Sequence, residues 1–214
     1  MLVKDVMTKN PITINAKATI LEATELMKKN NIKKLPVVDK NGALIGLVTE
    51  NDLQRVSPSD ATTLDVFELS YLLAKLTVEK VMVKDVKIVH PEETVEEAAR
   101  IMSDGDFGCL PVLKENLLVG IITDSDLFKM FIEMFNARTK GVRAVVEMSD
   151  DVGSLSTFAQ KLASFGGKIV SCITTEGCEA NCRKVTIKAT NISLEKYKEI
   201  CLSCCKKIED IREV

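Results

Sequence analysis

Residues 3–55 and 78–129 carry one pattern twice. At a displacement of 75 positions, Val3, Val6 and Met7 fall on Val78, Val81 and Met82. Thr19, Glu22, Ala23 and Met27 fall on Thr94, Glu97, Ala98 and Met102, and Leu35-Pro36-Val37 falls on Leu110-Pro111-Val112. One residue then drops out of a turn, and Thr49, Asp52 and Leu53 match Thr123, Asp126 and Leu127 at a displacement of 74. A repeat this long with a single deletion is a duplicated folding unit. It restricts the chain to folds with an approximate twofold relation between two halves and a related pocket in each.

Composition narrows the function. The 214 residues suffice for one large or two small domains, and the apolar residues are Val, Ile, Leu and Met with few aromatics and no Trp. Net charge is −2, without clustered Lys and Arg. A nucleic-acid surface needs basic clusters or aromatic stacking platforms, so nucleic acid is not an expected partner. No apolar stretch is long enough to span a membrane and no leader pattern opens the chain, which points to a cytoplasmic protein without a membrane partner. Seven Cys, an odd number, fit reduced thiols better than a disulfide framework.

Each copy reads strand–helix–strand–strand–helix. In the first, Ile12-Thr13-Ile14 is extended and Thr19 with Glu22 forms a capping box. Leu35 to Val38 and Leu44 to Val48 are strands about an Asn41-Gly42 turn, and a helix starts near Asp52. The second repeats this with Ile88-Val89, a capping box at Thr94 and Glu97, strands from Leu110 and Val119, and a helix from Asp126. Between the copies, Leu64 to Leu76 reads as a helix apolar on most sides, as does Leu127 to Phe135. Such helices require burial, so a partner subunit or second domain is expected over them. After a boundary at 136–140 the pattern becomes βαββαβ, a ferredoxin-like split arrangement. It comprises strands at Val142–Met148, Lys168–Thr175, Lys184–Ala189 and Ile208–Val214, with helices at Ser154–Phe165 and Leu194–Lys207.

The segment Val3-Lys-Asp-Val-Met-Thr8, with Leu35-Pro-Val-Val-Asp39, Gly42, Leu44, Gly46 and Val48-Thr-Glu-Asn-Asp52-Leu53, closely resembles a CBS motif, and the second copy resembles another. Together they look like a CBS pair, or Bateman module, over 1–136: repeat one 1–56, linker helix 57–77, repeat two 78–136. Residues 140–214 resemble an ACT domain through element order and Asp151-Val-Gly153-Ser-Leu155. The CBS-linker-CBS-ACT order, with Ser57-Pro58-Ser59-Asp60 and Tyr71 to Leu76 in the linker, is similar to the acetoin-utilisation AcuB group. The expected fold class is α+β, a tandem CBS pair followed by a ferredoxin-like ACT domain.

A carboxylate at a helix start can accept both donors of a ribose diol, and a charge-assisted bond of this kind contributes about 1.5–3 kcal/mol. The resemblance assigns that role to Thr49, Asp52, Thr123 and Asp126. The same spacing is also a capping box that needs no ligand. Lys33 and Lys34 place two cations ahead of Leu35-Pro36, suited to phosphate, or simply form a solvated turn. Gly108 and Cys109 hold the matching positions in copy two, so the two pockets should differ. By resemblance, adenine would lie against Thr13, Ile32, Leu35 and Pro36 in copy one, and against Ile88, Phe107, Leu110 and Pro111 in copy two. Each apolar residue among these is equally suited to the core.

These features imply a non-enzymatic regulatory sensor for AMP, ADP, ATP or another adenosyl compound such as S-adenosylmethionine or NAD, with no catalytic cofactor. The ACT resemblance adds a small metabolite near Asp151, Gly153 and Leu155, a homodimer, and a metabolic enzyme as partner. Catalytic and dinucleotide-binding motifs are missing, and the one His, His90, reads as an exposed turn residue. Two other readings stay open. Cys178-x₃-Cys182 and Cys201-x₂-Cys204-Cys205 fit a redox- or metal-responsive protein, though the latter three also fit the inward stripe of a helix. A constitutive dimerisation scaffold is the third.

Overall fold

A computed structural model describes residues 1–56, 75–177 and 181–214. Most of the expected linker helix over 57–77, and Cys178, lie outside the described residues. Packing divides the chain into two compact units, Met1–Leu127 and Phe128–Val214.

In the first unit, copy one contains α1 (Val3–Val6), β1 (Thr8–Lys9), β2 (Ile14–Asn15), α2 (Ile20–Asn30), β3 (Lys34–Val38), β4 (Leu44–Thr49) and α3 (Glu50–Val56). Copy two contains a 3₁₀ turn at Val78–Lys80, α4 (Val95–Asp104), β5 (Cys109–Lys114), β6 (Leu117–Thr123) and the first turn of α5 (Asp124–Met134), whose residues from Phe128 on belong to the second unit. Local chemistry explains the boundaries. Thr19 Oγ1 accepts the Glu22 N–H at 3.1 Å while the Glu22 carboxylate accepts the Thr19 N–H at 2.7 Å, a complete capping box. Asn31 ends α2 in the left-handed region at φ 52°. At α4 only half of the expected box forms. Thr94 Oγ1 accepts the Glu97 N–H at 3.2 Å, but Arg100 takes the Glu97 carboxylate at 2.6 and 2.8 Å. Glu22 has no arginine three residues on, so its carboxylate turns back to the cap.

The sheets are ordered β2-β3-β4 and β1-β6-β5. β1, at the start of copy one, therefore belongs to the sheet of copy two, pairing Thr8 with Ile121 and Lys9 with Gly120. Copy two returns the exchange: Val83 and Leu47 trade N–H···O bonds of 2.9 Å in both directions. The Val3 N–H reaches Glu93 O at 2.9 Å, and the matching Val78 N–H reaches Ala18 O at 2.9 Å. The glycines make this crossing possible. A Cβ at Gly46 would collide with the Met82 side chain, and one at Gly120 with that of Met7. Behind the sheets, Ile20, Ala23, Met27, Leu35, Val37 and Leu53 form the core of copy one. Val95, Ala98, Met102, Leu110 and Val112 are equally buried in copy two, whereas Leu127, the counterpart of Leu53, is half-buried.

The second unit runs β7 (Val142–Ser149), α6 (Ser154–Ser164), β8 (Lys168–Glu176), β9 (Cys182–Thr190), α7 (Leu194–Cys204) and β10 (Lys207–Glu213). This is the βαββαβ order read from the sequence, folded as one sheet ordered β10-β7-β9-β8 with every pairing antiparallel. Period-two alternation puts Val142, Ala144, Val146 and Met148 in the core with Phe158, Leu162, Tyr197 and Ile200 from the helices. The Phe158 and Tyr197 rings meet edge-on at 6.1 Å. Asn136 belongs to this unit: its amide donates to Val170 O at 2.6 Å, and its carbonyl accepts the Lys188 ammonium at 2.9 Å. Phe128, Phe131 and Met134 of α5 are exposed.

Candidate functional site

The two Thr-x-x-Asp boxes sit where β4 turns into α3 and β6 turns into α5. In copy one, Asp52 Oδ2 accepts the Thr49 N–H at 2.9 Å and the Thr49 hydroxyl at 2.6 Å, and the Asp52 N–H reaches Thr49 Oγ1 at 3.3 Å. In copy two, the corresponding distances for Thr123 and Asp126 are 3.0, 2.7 and 3.4 Å. Both boxes thus cap their helices, as the spacing alone allows. The capping bonds fall on one oxygen of each carboxylate, and Oδ1 takes no part in them. Asp52 is half-buried, whereas Asp126 is only 8% exposed.

Strand pairing assembles the rest. Lys34 lies opposite Thr49 and Cys109 opposite Thr123, with Leu35-Pro36 and Leu110-Pro111 following in the same register. Leu35 and Leu110 are fully buried, so their side chains belong to the cores of their copies and offer no exposed surface beside the boxes. Thr13, half-buried, precedes β2, and Ile32 packs partly against the copy-one core. Ile88 and Phe107 remain exposed apolar groups in copy two.

The charges are arranged unequally. Lys33 pairs with Glu50 at 3.3 Å within copy one and is well exposed. Lys34 instead crosses to copy two, where its ammonium donates to Gly108 O and to Asp124 Oδ1, the latter at 3.0 Å. Burial of Asp124 works against its charge. The Lys34 ammonium and the Ser125 N–H outweigh it and hold the carboxyl below the usual range. Burial pushes the Cys109 thiol up to about 11, against the pull of Lys34. Asp124 was not among the residues singled out in the sequence. Its signal was there: it is the counterpart of Glu50 and adjoins Thr123.

In the second unit, Asp151, Gly153 and Leu155 line an open hollow of about 620 Å³, together with Val152, Ser156, Ala159, Ile169 and Cys172. Gly153 caps α6 at φ 96°, a conformation suited to glycine. The β8 residues Ile169 and Cys172 reach this hollow through tertiary packing, which no local motif announces. Cys201 is buried at the end of α7, with Cys204 and Cys205 half-buried, and Cys205 lies one residue past the helix as its cap. Among the described residues, no three His, Cys, Asp or Glu side chains converge as metal ligands. No helix among them is long and apolar enough to cross a membrane. His90 is exposed, with Nδ1 3.2 Å from Leu113 O.

Comparison with known proteins places both copies. The model of the CBS domain matches residues 3–59 and 78–133. A candidate acetoin utilization protein (AcuB) from Vibrio cholerae superposes with a TM-score of 0.54 and 34% identity, covering 64% of this chain and 95% of that one. The CBS domain pair of protein MJ0100, crystallised with 5′-methylthioadenosine and S-adenosyl-L-methionine, superposes at 0.52 with 30% identity over 65% of this chain and 98% of that one. CBSX2 in complex with AMP superposes at 0.50 with 28% identity, covering 61% of this chain and 96% of that one. The L-aspartate semialdehyde sulfurtransferase of Methanocaldococcus jannaschii is 32% identical over 131 residues, which is 61% of this chain and 23% of that enzyme.

Proposed function

This chain belongs to the CBS-domain family, and from that premise we propose that it is a non-catalytic regulatory sensor whose Thr-x-x-Asp boxes grip the ribose of an adenosine-containing ligand. The observation that carries the reading is the near-identity of the two boxes, whose matched distances differ by 0.1 Å throughout. Each carboxylate stands at a helix start, where the helix dipole favours its charge. Relatives crystallised with AMP, 5′-methylthioadenosine and S-adenosyl-L-methionine support the ligand class. ADP, ATP and NAD present the same adenosine to such a box.

The second unit acts as an ACT domain and takes an amino acid or other small metabolite in the hollow at Asp151, Gly153 and Leu155. Its element order, its antiparallel sheet and the hollow itself support this. The chain works as a cytoplasmic homodimer. The exposed Phe128, Phe131 and Met134 supply apolar surface for a partner copy, and the free cysteines fit a reducing compartment. Occupancy is passed to a metabolic enzyme. The likeness to AcuB supports such a role, as does the match to about a quarter of a sulfurtransferase.

Calorimetric titration of the full chain with AMP, ADP, ATP, 5′-methylthioadenosine, S-adenosylmethionine and NAD tests the reading. Saturable heat with at least one is expected. A folded sample silent to all six leaves the scaffold reading in its place. A redox response is favoured by one contact, the Lys206 ammonium 3.0 Å from Cys182 Sγ. Peroxide-dependent labelling of Cys182 by a sulfenic-acid probe would reveal it.

A further inference from the structure

Lys34 links the two copies next to their Thr-x-x-Asp boxes. Its backbone pairs with Thr49 in copy one, and its ammonium ends in copy two on the Gly108 carbonyl and on Asp124, the residue that follows Thr123. The side chain is only 19% exposed, although Asp124 is 51% exposed. Copy one keeps its helix-start acid on its own lysine, Lys33 with Glu50. Copy two has glycine at the Lys33 position, so its acid, Asp124, takes a lysine from the other copy. The glycine also makes the space. A Cβ on Gly108 would lie 3.0 Å from Lys34 Nζ and 3.6 Å from Asp124 Oδ2. A long lysine stem rooted at one box can swing back to it, because the four-carbon chain is flexible and the ammonium is a point charge without a fixed fork.

Building on the nucleoside-sensor reading, the geometry points to Lys34 as a charge-selective latch between the two boxes. While Asp124 and Gly108 hold it, the pair accepts an uncharged nucleoside such as 5′-methylthioadenosine without disturbing the latch. A nucleotide with a phosphate group draws Lys34 off Asp124, so its binding carries the cost of opening the contact between the copies. The latch therefore reports whether a phosphate is present, and it couples that to the packing of one copy against the other. By reciprocity, whatever loosens the latch improves phosphate binding by the same factor.

Calorimetry with AMP and 5′-methylthioadenosine on the full chain tests this, with the ratio of the two affinities as readout. Asp124→Asn is expected to raise the ratio in favour of AMP by at least about fivefold, the lower end of ordinary coupling. Gly108→Ala crowds the ammonium, which must give by a few tenths of an ångström, without changing any charge, and is expected to move the ratio the same way by less than Asp124→Asn. Lys34→Gln is expected to move it the opposite way. If both ligands bind and neither Asp124→Asn nor Gly108→Ala changes the ratio, the latch is overturned and the sensor reading stands. If neither ligand binds to the folded wild-type chain, the sensor reading falls and the latch with it.

Discussion

The two copies keep the same grip and differ in the charge around it. Thr49 with Asp52 and Thr123 with Asp126 hold one hydrogen-bond pattern, distance for distance. Beside them, Lys33 and Lys34 in copy one correspond to Gly108 and Cys109 in copy two, so a dibasic strand start faces a bare backbone and a buried thiol. The box is tied to the backbone N–H groups of a helix start, and either residue of it changes only by losing a cap. The flanking positions touch no such constraint and were free to diverge. What the difference teaches is that the duplication kept the hydroxyl–carboxylate box at each helix start while the charges flanking it became unlike.

The broadest challenge to this equivalence is structural. Met27 and Met102 are matched core residues, 4% and 5% exposed. Met27→Ala and Met102→Ala should each cost about 2–5 kcal/mol, as buried truncations do. Urea unfolding checks this, and a marked inequality would show that the cores are not equivalent. Next, Asp52→Ala and Asp126→Ala should each weaken adenosine-ligand binding by about tenfold or more, the loss of one charge-assisted hydrogen bond. Calorimetry on folded variants decides the matter. A loss of stability with affinity unchanged in both would return the boxes to plain helix caps.

A smaller effect comes from the other caps. Thr19→Ala and Thr94→Ala should each cost about 1 kcal/mol, with Thr19 the larger because its box is reciprocal and that of Thr94 is one-sided. Thermal unfolding of the pair gives the order. The last effect is absent at neutral pH and emerges only in alkali. The folded Cys109 thiol is raised to about 11 from an ordinary value of 9.0. Between those values the unfolded chain loses its proton while the folded chain keeps it, so stability falls as pH rises. Cys109→Ala should flatten that part of the stability–pH profile, measured by urea unfolding from pH 8 to 10.5. Copy one has no thiol at the matching position, which is Lys34.

Much of this was legible in the residues. The duplication, the capping residues, the βαββαβ order and the Thr-x-x-Asp boxes are local patterns, set by periodicity and by hydrogen bonds three residues apart. The half-formed box at Thr94 was also within reach, since Arg100 stands three residues beyond Glu97 and competes for it. The exchange of N-terminal arms between the copies was not legible. Val3 and Thr8 carry no mark saying which sheet they join, and Gly46 and Gly120 reveal their purpose only when Met82 and Met7 lie against them. In the second unit the loop at Asp151 could be read, whereas its opposing wall at Ile169 and Cys172 could not.

The sequence by itself determined that this protein has two like halves, each with a hydroxyl and a carboxylate fixed at a helix start, because those groups satisfy backbone donors within one turn. Only the tertiary structure decided that Lys34 serves the opposite half and that Asp124 is its partner. Their residues stand 90 positions apart. Such a pair is chosen by which surfaces the folded copies bring within reach, a matter of packing that no local spacing encodes.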